Sequence, residues 1–355
     1  MKRIITLLIL LAFLFSFNCT YAADNSFDPN KTTVAELQEA ALNNSRQALI
    51  DDVDIKKKEM AVRTVRTDTN AMSDSILSVT KPMDVQLELD SAKMTKQDHL
   101  NQLKVDVYKA AMNIQLCNKE IELQEYKVTV AQEKLTMAQA RFKAATITQD
   151  VLDSAQYDVD SSNVDLTNAK EKLNSLYLEL KKLLNQPLDT SAITITDELK
   201  LAAYKDVNID TVLNSLYKSE TSVVKAEGKL TIAQTAMDIA AKLYVKGNLY
   251  YDNCVIDLEE ANLDLAAAKT ALDVKVKNKY NDLINQLDNV ELADKYAELS
   301  KKKLANAQTK YDKGTITKET YLAAKTALMD AEYAKLSSIA GFNGTKAEFD
   351  NIIGN

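Results

Sequence analysis

The sequence predicts an all-α protein built from duplicated long antiparallel helical hairpins with minimal β structure. Four observations carry this. Helix breakers are scarce, because 355 residues contain only six glycines and three prolines. Alanine, leucine, lysine, aspartate and glutamate dominate, which is the composition of long helices. Apolar residues recur in alternating steps of three and four, as in Leu152, Ala155, Val159, Ser162, Leu166, Ala169, Leu173, Leu176 and Leu180, so they share one face of a supercoiled helix. Finally, one stretch occurs twice. Sliding the chain by 169 positions lays Leu135, Ala138, Gln139, Thr146, Ile147 and Thr148 on identical residues at Leu304, Ala307, Gln308, Thr315, Ile316 and Thr317. Arg141 then meets Lys310, Phe142 meets Tyr311, and Asp150 meets Glu319. Size and charge sign persist where identity is lost, as expected of a duplicated unit.

Taken in order, residues 1–22 read as a signal peptide. Lys2 and Arg3 precede the apolar run Ile4 to Phe15, and Thr20-Tyr21-Ala22 supplies small residues for cleavage. Cys19 lacks the small-residue context of a lipidated cysteine. The first repeat covers 23–190, with its tip near 144–148, and the second covers 191–355, with its tip near 313–317. Thr32 or Thr33 caps a first helix, with Glu36 placed for a capping box, and that helix is expected to run to Thr67. Residues 68–84, polar and containing Pro82, read as a connection, with Asp84 capping a helix that continues to Lys143. A return helix ends near Asn185-Gln186-Pro187, and Ala192–Thr196 reads as a short strand. Asn208 opens a single helix through Tyr244 that contains Gly228, and Lys246-Gly247-Asn248 make a turn. A long helix over 253–312 follows. The last return helix is expected from 317 to Ala340, stopped by Gly341 and Gly344, with a short terminal helix over 346–352.

Catalytic classes find little support. One histidine and two well-separated cysteines of the mature chain, Cys117 and Cys254, make neither a metal cluster nor a Cys–His pair. Their heights along parallel helices differ by roughly 48 Å, which excludes a disulfide between them. No phosphate-binding glycine loop is present. His99 reads as a solvent-facing helix residue. The protein is therefore read as a non-enzyme without cofactor or metal. The net charge of −7, without basic blocks, argues against nucleic acid.

The tips are the informative parts. Gly314 permits a left-handed turn, Thr148 and Thr317 can cap the return helices, and Asp150 and Glu319 suit their first turns. Copy one has Ala145 where copy two has Gly314, so its turn must either manage without glycine or be looser. Hairpin stability accounts for these residues. It does not account for the apolar Ile147 and Ile316 at both turns, nor for the basic–aromatic pairs before them, so the tips read as contact surfaces.

The pattern Arg/Lys-Phe/Tyr-x-x-Gly/Ala-x-Ile-Thr-x-Asp/Glu at both tips resembles that of the TolC-type outer membrane efflux proteins. Val34–Ser45 is similar to that family's opening helix, and Leu183-Leu184-Asn185-Gln186-Pro187-Leu188 to the segment leaving its first repeat. The resemblance implies a homotrimeric helical tunnel that serves efflux or type I export. Its tips would dock a periplasmic adaptor (membrane fusion) protein and an inner-membrane pump. Carried over residue by residue, it implies an adaptor contact at Arg141, Phe142, Ala145, Thr146 and Ile147, and at Lys310, Tyr311, Gly314, Thr315 and Ile316. It implies a gate at Asp150, Tyr311 and Glu319. Location follows as exported, in the cell envelope. The family inserts two membrane strands between the first two helices of each repeat, whereas the connections 68–84 and 246–252 are too short or lack the alternating pattern. This chain is thus expected to be a relative without the β-barrel, whose contact with a membrane would run through a partner. The alternative is a non-transporting structural coiled-coil protein of the envelope.

Overall fold

A computed structural model describes residues 28–68 and 75–354. The predicted signal peptide lies outside the described residues, as do residues 69–74 of the first predicted connection. The described chain forms eight helices: α1 (Val34–Asn43), α2 (Arg46–Asp68), α3 (Ser75–Lys143), α4 (Gln149–Leu183), α5 (Ile209–Leu216), α6 (Thr221–Leu243), α7 (Leu249–Asp312) and α8 (Lys318–Ile353).

Helices α3 and α7, of 69 and 64 residues, each span about 100 Å at 1.5 Å per residue and run the length of the molecule. Toward the tips, the helices lie side by side in the order α4–α3–α8–α7. Toward the other end the order is α2–α3–α6–α7. The α4 seam predicted from heptads holds: each of its nine residues is buried or half-buried. Large and small residues alternate along it, which lets α3 and α4 approach closely.

A waist joins the two halves. Thr33 caps α1 through a capping box with Glu36. Leu37, Ala40 and Ala41 then pack on Val107, Ala111, Ile114, Leu180 and Leu184. The segment predicted as a strand makes only an isolated parallel bridge between Thr32 and Ile195. In the second repeat, Leu213, Leu216 and Val223 pack on Leu272, Val276, Leu283 and Phe342. Buried Lys181 holds the exit from α4 by bonding the Asp189 carboxylate and Ser191 Oγ.

Tertiary packing overrides several boundaries read from the sequence. The first helix breaks at Asn44–Ser45, where Asn44 Nδ2 donates to Ala40 O and Ser45 Oγ accepts from Ala48 N. Helix α3 begins at Ser75 rather than Asp84, with Pro82 inside it. The proline forfeits one backbone bond, but Glu88 nearby pairs with Lys58 of α2 and Lys225 of α6, at 3.2 and 2.8 Å. The helix from Asn208 is two helices, α6 starting afresh where the Glu220 carboxylate accepts from Ser222 N and Val223 N. Helix α7 starts at Leu249, capped by Asn248. Gly341 and Gly344 do not stop α8. Phe342 and Phe349 fill the waist core, while buried Asn343 bonds Ala202 N and Lys200 O at 2.9 and 2.7 Å. A Cβ at Gly341 would stand 3.0 Å from Gln286 Oε1, so this glycine serves close approach rather than termination.

Candidate functional site: the paired hairpin tips

Both long helices end in the same motif. The amide of Thr146 donates to Arg141 O at 2.9 Å and that of Ala145 to Phe142 O at 2.9 Å. In copy two, Thr315 N donates to Lys310 O at 2.9 Å and Gly314 N to Tyr311 O at 2.8 Å. This pair of bonds is the Schellman arrangement, which satisfies carbonyls the helix end leaves open. The threonine hydroxyls add a second bond each, to Arg141 O at 2.8 Å and Lys310 O at 2.9 Å. The motif needs a left-handed residue, and both turns supply one: Gly314 at φ 69° and Ala145 at φ 53°. Of the two alternatives the first holds: the turn manages without glycine, and Ala145 accepts the strain that glycine avoids. The caps do differ. Thr317 Oγ1 accepts from Thr320 N at 3.2 Å, whereas Thr148, though extended, makes no side-chain cap bond.

The tip residues fall into three groups. Arg141, Phe142, Ala145, Thr146, Lys310, Gly314 and Thr315 are exposed. Ile147 and Ile316 are half-buried. Ile147 lines a groove of about 350 Å³ between α3 and α4, with Met137, Ala138, Val151 and Ala155 as its apolar floor and Arg141, Asp150 and Glu319 at its rim. Part of Ile147 is thus used by its own hairpin. Tyr311 is half-buried and stacks on Tyr321, with ring centroids 5.2 Å apart.

The structure brings two of the three predicted gate residues to one place. Asp150 and Glu319 border the same groove, and Glu319 of the second tip faces Arg141 of the first at 4.0 Å. Tyr311 contacts its own hairpin instead.

Further contacts between α3 and α8 escaped the sequence reading. Lys318 pairs with Glu133 at 2.8 Å, and the neighbouring carboxylate pushes the Lys318 ammonium up from its ordinary pKa. Lys127 pairs with Asp330 at 2.8 Å, and Lys325 Nζ lies 4.8 Å from the Tyr126 ring centroid. Higher up, Glu120 accepts from Lys172 of α4 and Tyr333 of α8. These partners are far apart in sequence, and no local spacing announces them. Exposed pairs of this kind are each worth about 0–1 kcal/mol, so they add to the burial of Leu123, Val130, Leu322 and Ala331 on the same two helices.

A second feature was missed. Each helix at the edge of the layer carries an exposed apolar stripe. These are Leu49, Val53 and Met60 on α2; Tyr157 and Val164 on α4; and Leu249, Ile256 and Leu263, then Leu292, Tyr296 and Leu299, on α7. At 100° per residue each stripe lies roughly 100–170° around its helix from the face packed within the chain. Steps of seven were the available signal. They were overshadowed by the stronger internal seams.

Among the described residues no group of His, Cys, Asp and Glu could hold a metal ion, and Cys117 and Cys254 are both buried. His99 Nδ1 lies 2.9 Å from Asp51 on an exposed surface.

No family profile and no curated protein matches this sequence. Solved structures do match. A membrane protein from Pseudomonas aeruginosa superposes with a TM-score of 0.72 at 11% identity, over 90% of this chain and 90% of that one. The outer membrane protein VceC of Vibrio cholerae gives 0.68 at 12% identity, over 91% and 96%. The CmeC outer membrane channel of Campylobacter jejuni gives 0.66 at 10% identity, over 90% and 85%. The likeness is one of fold: the chain has the helical architecture of TolC-type outer membrane channels, and no strand is formed among its described residues.

Proposed function

We propose that this protein is the helical tunnel component of an envelope efflux or export system, working as a homotrimer. One observation carries the reading. The chain is an open layer of helices whose two edges are both apolar and unpartnered: α7 along one side, α2 and α4 along the other. A layer with complementary edges is completed by further copies, and a rotation that closes gives a ring. Contiguous exposed apolar stripes of this length mark interaction surfaces. Repeating the layer three times sets α7 of one copy against α2 and α4 of the next and encloses a channel. The fold shared with outer membrane channels supports three copies and an exported envelope location.

In this reading the tips face an adaptor protein and, through it, an inner-membrane pump. Arg141, Phe142, Ala145, Thr146, Ile147, Lys310, Tyr311, Gly314, Thr315 and Ile316 form the docking surface. Asp150, Tyr311 and Glu319 control the opening, with the Arg141–Glu319 pair holding the two hairpins together when closed. The mechanism is passage, not catalysis.

Sedimentation velocity tests the assembly. The wild-type chain sediments as an elongated trimer, and Tyr157→Asp combined with Leu292→Asp gives a helical monomer. A compact monomeric wild type, or a double variant that stays trimeric, refutes the ring. Docking is tested by Ile147→Asp with Ile316→Asp, which abolishes co-purification of an adaptor while helicity is kept. If the trimer forms but the tip variants bind the adaptor normally, the tip assignment fails alone. A trimer that binds no adaptor and conducts nothing in a bilayer favours the structural coiled-coil alternative.

A further inference from the structure

We propose that the turn between α6 and α7 is a shallow lipid-contacting element that seats the end of the molecule opposite the tips on a bilayer surface. The turn sits at the start of α7, about 95 Å from the tips at 1.5 Å per residue over that helix. Val245 and Leu249 are 79% and 72% exposed. Leu243 and Tyr250, in the same turn, are also exposed. Turns are ordinarily polar, and this one gains nothing structural from its apolar residues. Its geometry is satisfied by Gly247 at φ 91°, by Asn248 Oδ1 accepting from Tyr250 N at 2.9 Å, and by Asp252 Oδ1 accepting from Gly247 N at 3.3 Å. Leu249 belongs to the α7 edge stripe, but Val245 lies outside every helix, at the apex.

The order of chemistry along the turn favours lipid over protein. Val245 and Lys246 lie at the apex, with Leu243 and Leu249 flanking them. The rings of Tyr244 and Tyr250 stack at 5.4 Å across the two legs. Exposed Lys242 and Asp252 follow. Apolar apex, aromatic pair and charge is the sequence of environments met on leaving a bilayer interface. Lys246 suits an anionic headgroup. No described helix is long and apolar enough to cross a membrane, so the contact is interfacial. The opposite end differs in degree: there the exposed large apolar side chains beside the turn are Phe142 and Val151, at 38% and 50%. Where the trimer proposed above forms, it presents three such turns together and multiplies their effect. The contact itself does not require the trimer.

The chain has no tryptophan, which makes a local probe clean. In the full chain, Leu249→Trp, with Val245→Trp as a second probe, is mixed with vesicles of phosphatidylcholine and phosphatidylglycerol carrying brominated acyl chains. The emission shifts to the blue and is quenched about twofold, while Phe142→Trp at the other end is not quenched. Adding Val245→Ser to Leu249→Trp weakens vesicle binding about fivefold or more. Equal quenching at both ends, no quenching at 249 and 245, or unchanged affinity in the serine variant overturns the proposal. So does a blue shift that grows with protein concentration without vesicles, since the turn then meets a second copy. Sedimentation of the same samples scores the trimer separately.

Discussion

Exchanging the left-handed residues of the two tips isolates one backbone term. Gly314 and Ala145 hold the same place in the same pair of hydrogen bonds, at φ 69° and 53°. A Cβ added at Gly314 meets nothing within 4 Å, so Gly314→Ala carries no packing term. Placing alanine in the left-handed region costs about 1–2 kcal/mol. Lower chain entropy in the unfolded state returns about 0.4–1 kcal/mol. The net loss is about 1 kcal/mol, and Ala145→Gly gains a similar amount. In a chain of this size the melting temperature barely moves, so the assay must be local. Hydrogen exchange of tip peptides, read by mass spectrometry, follows the amides of Thr315 and Thr146. Gly314→Ala speeds exchange in the second tip about fivefold, and Ala145→Gly slows it in the first by a similar factor. Waist peptides stay unchanged. If Gly314→Ala leaves exchange unaltered, or Ala145→Gly accelerates it, backbone conformation does not limit these turns and the account of the repeated motif is wrong.

Other expectations follow from the packing. A Cβ at Gly228 would stand 2.4 Å from Leu87 Cδ1, so Gly228→Ala destabilises by about 1 kcal/mol of overpacking net of its helix-propensity gain. In a Leu87→Ala background the same change stabilises, and urea titrations of the four proteins show the reversal of sign or refute it. Burial pushes the Glu348 carboxyl up, but its bonds to Lys109 and Lys279 outweigh this and hold it below its ordinary pKa. A depressed pKa contributes stability above the ordinary carboxylate range that is lost as pH falls through the folded-state value. Glu348→Gln is therefore less stable than wild type at pH 7, and the gap narrows in acid below about pH 4.5. Denaturation midpoints across pH check the direction. Reversing Lys318 alone to Glu places it against Glu133 and loosens the two hairpins, and Glu133→Lys in the same chain restores exchange protection of the α3 and α8 peptides near the tips.

The tip was legible because its chemistry is local. The spacing from Arg141 to Thr146, repeated from Lys310 to Thr315, is the span over which a Schellman motif bonds, so the duplicated letters recorded a turn. The seams were legible because burial follows helical period. The helix ends around the waist were not. Pro82, Gly341 and Gly344 are breakers by propensity, and each is overruled by neighbours from distant parts of the chain. The cross-hairpin pairs Arg141–Glu319 and Lys318–Glu133 join residues with no regular spacing between them. The apolar edge stripes were visible as letters, but only the packed layer shows which apolar face has no partner.

Amino-acid order alone determined the duplication, the all-helical class, the positions of both reversals and the face each long helix buries, since each follows from local backbone chemistry or a short period. Tertiary structure decided where the helices begin and end at the waist, how the two hairpins lie against each other and which edges stay open. Those outcomes rest on contacts between residues remote in sequence, whose burial outweighs the few kcal/mol by which a proline or glycine disfavours a helix.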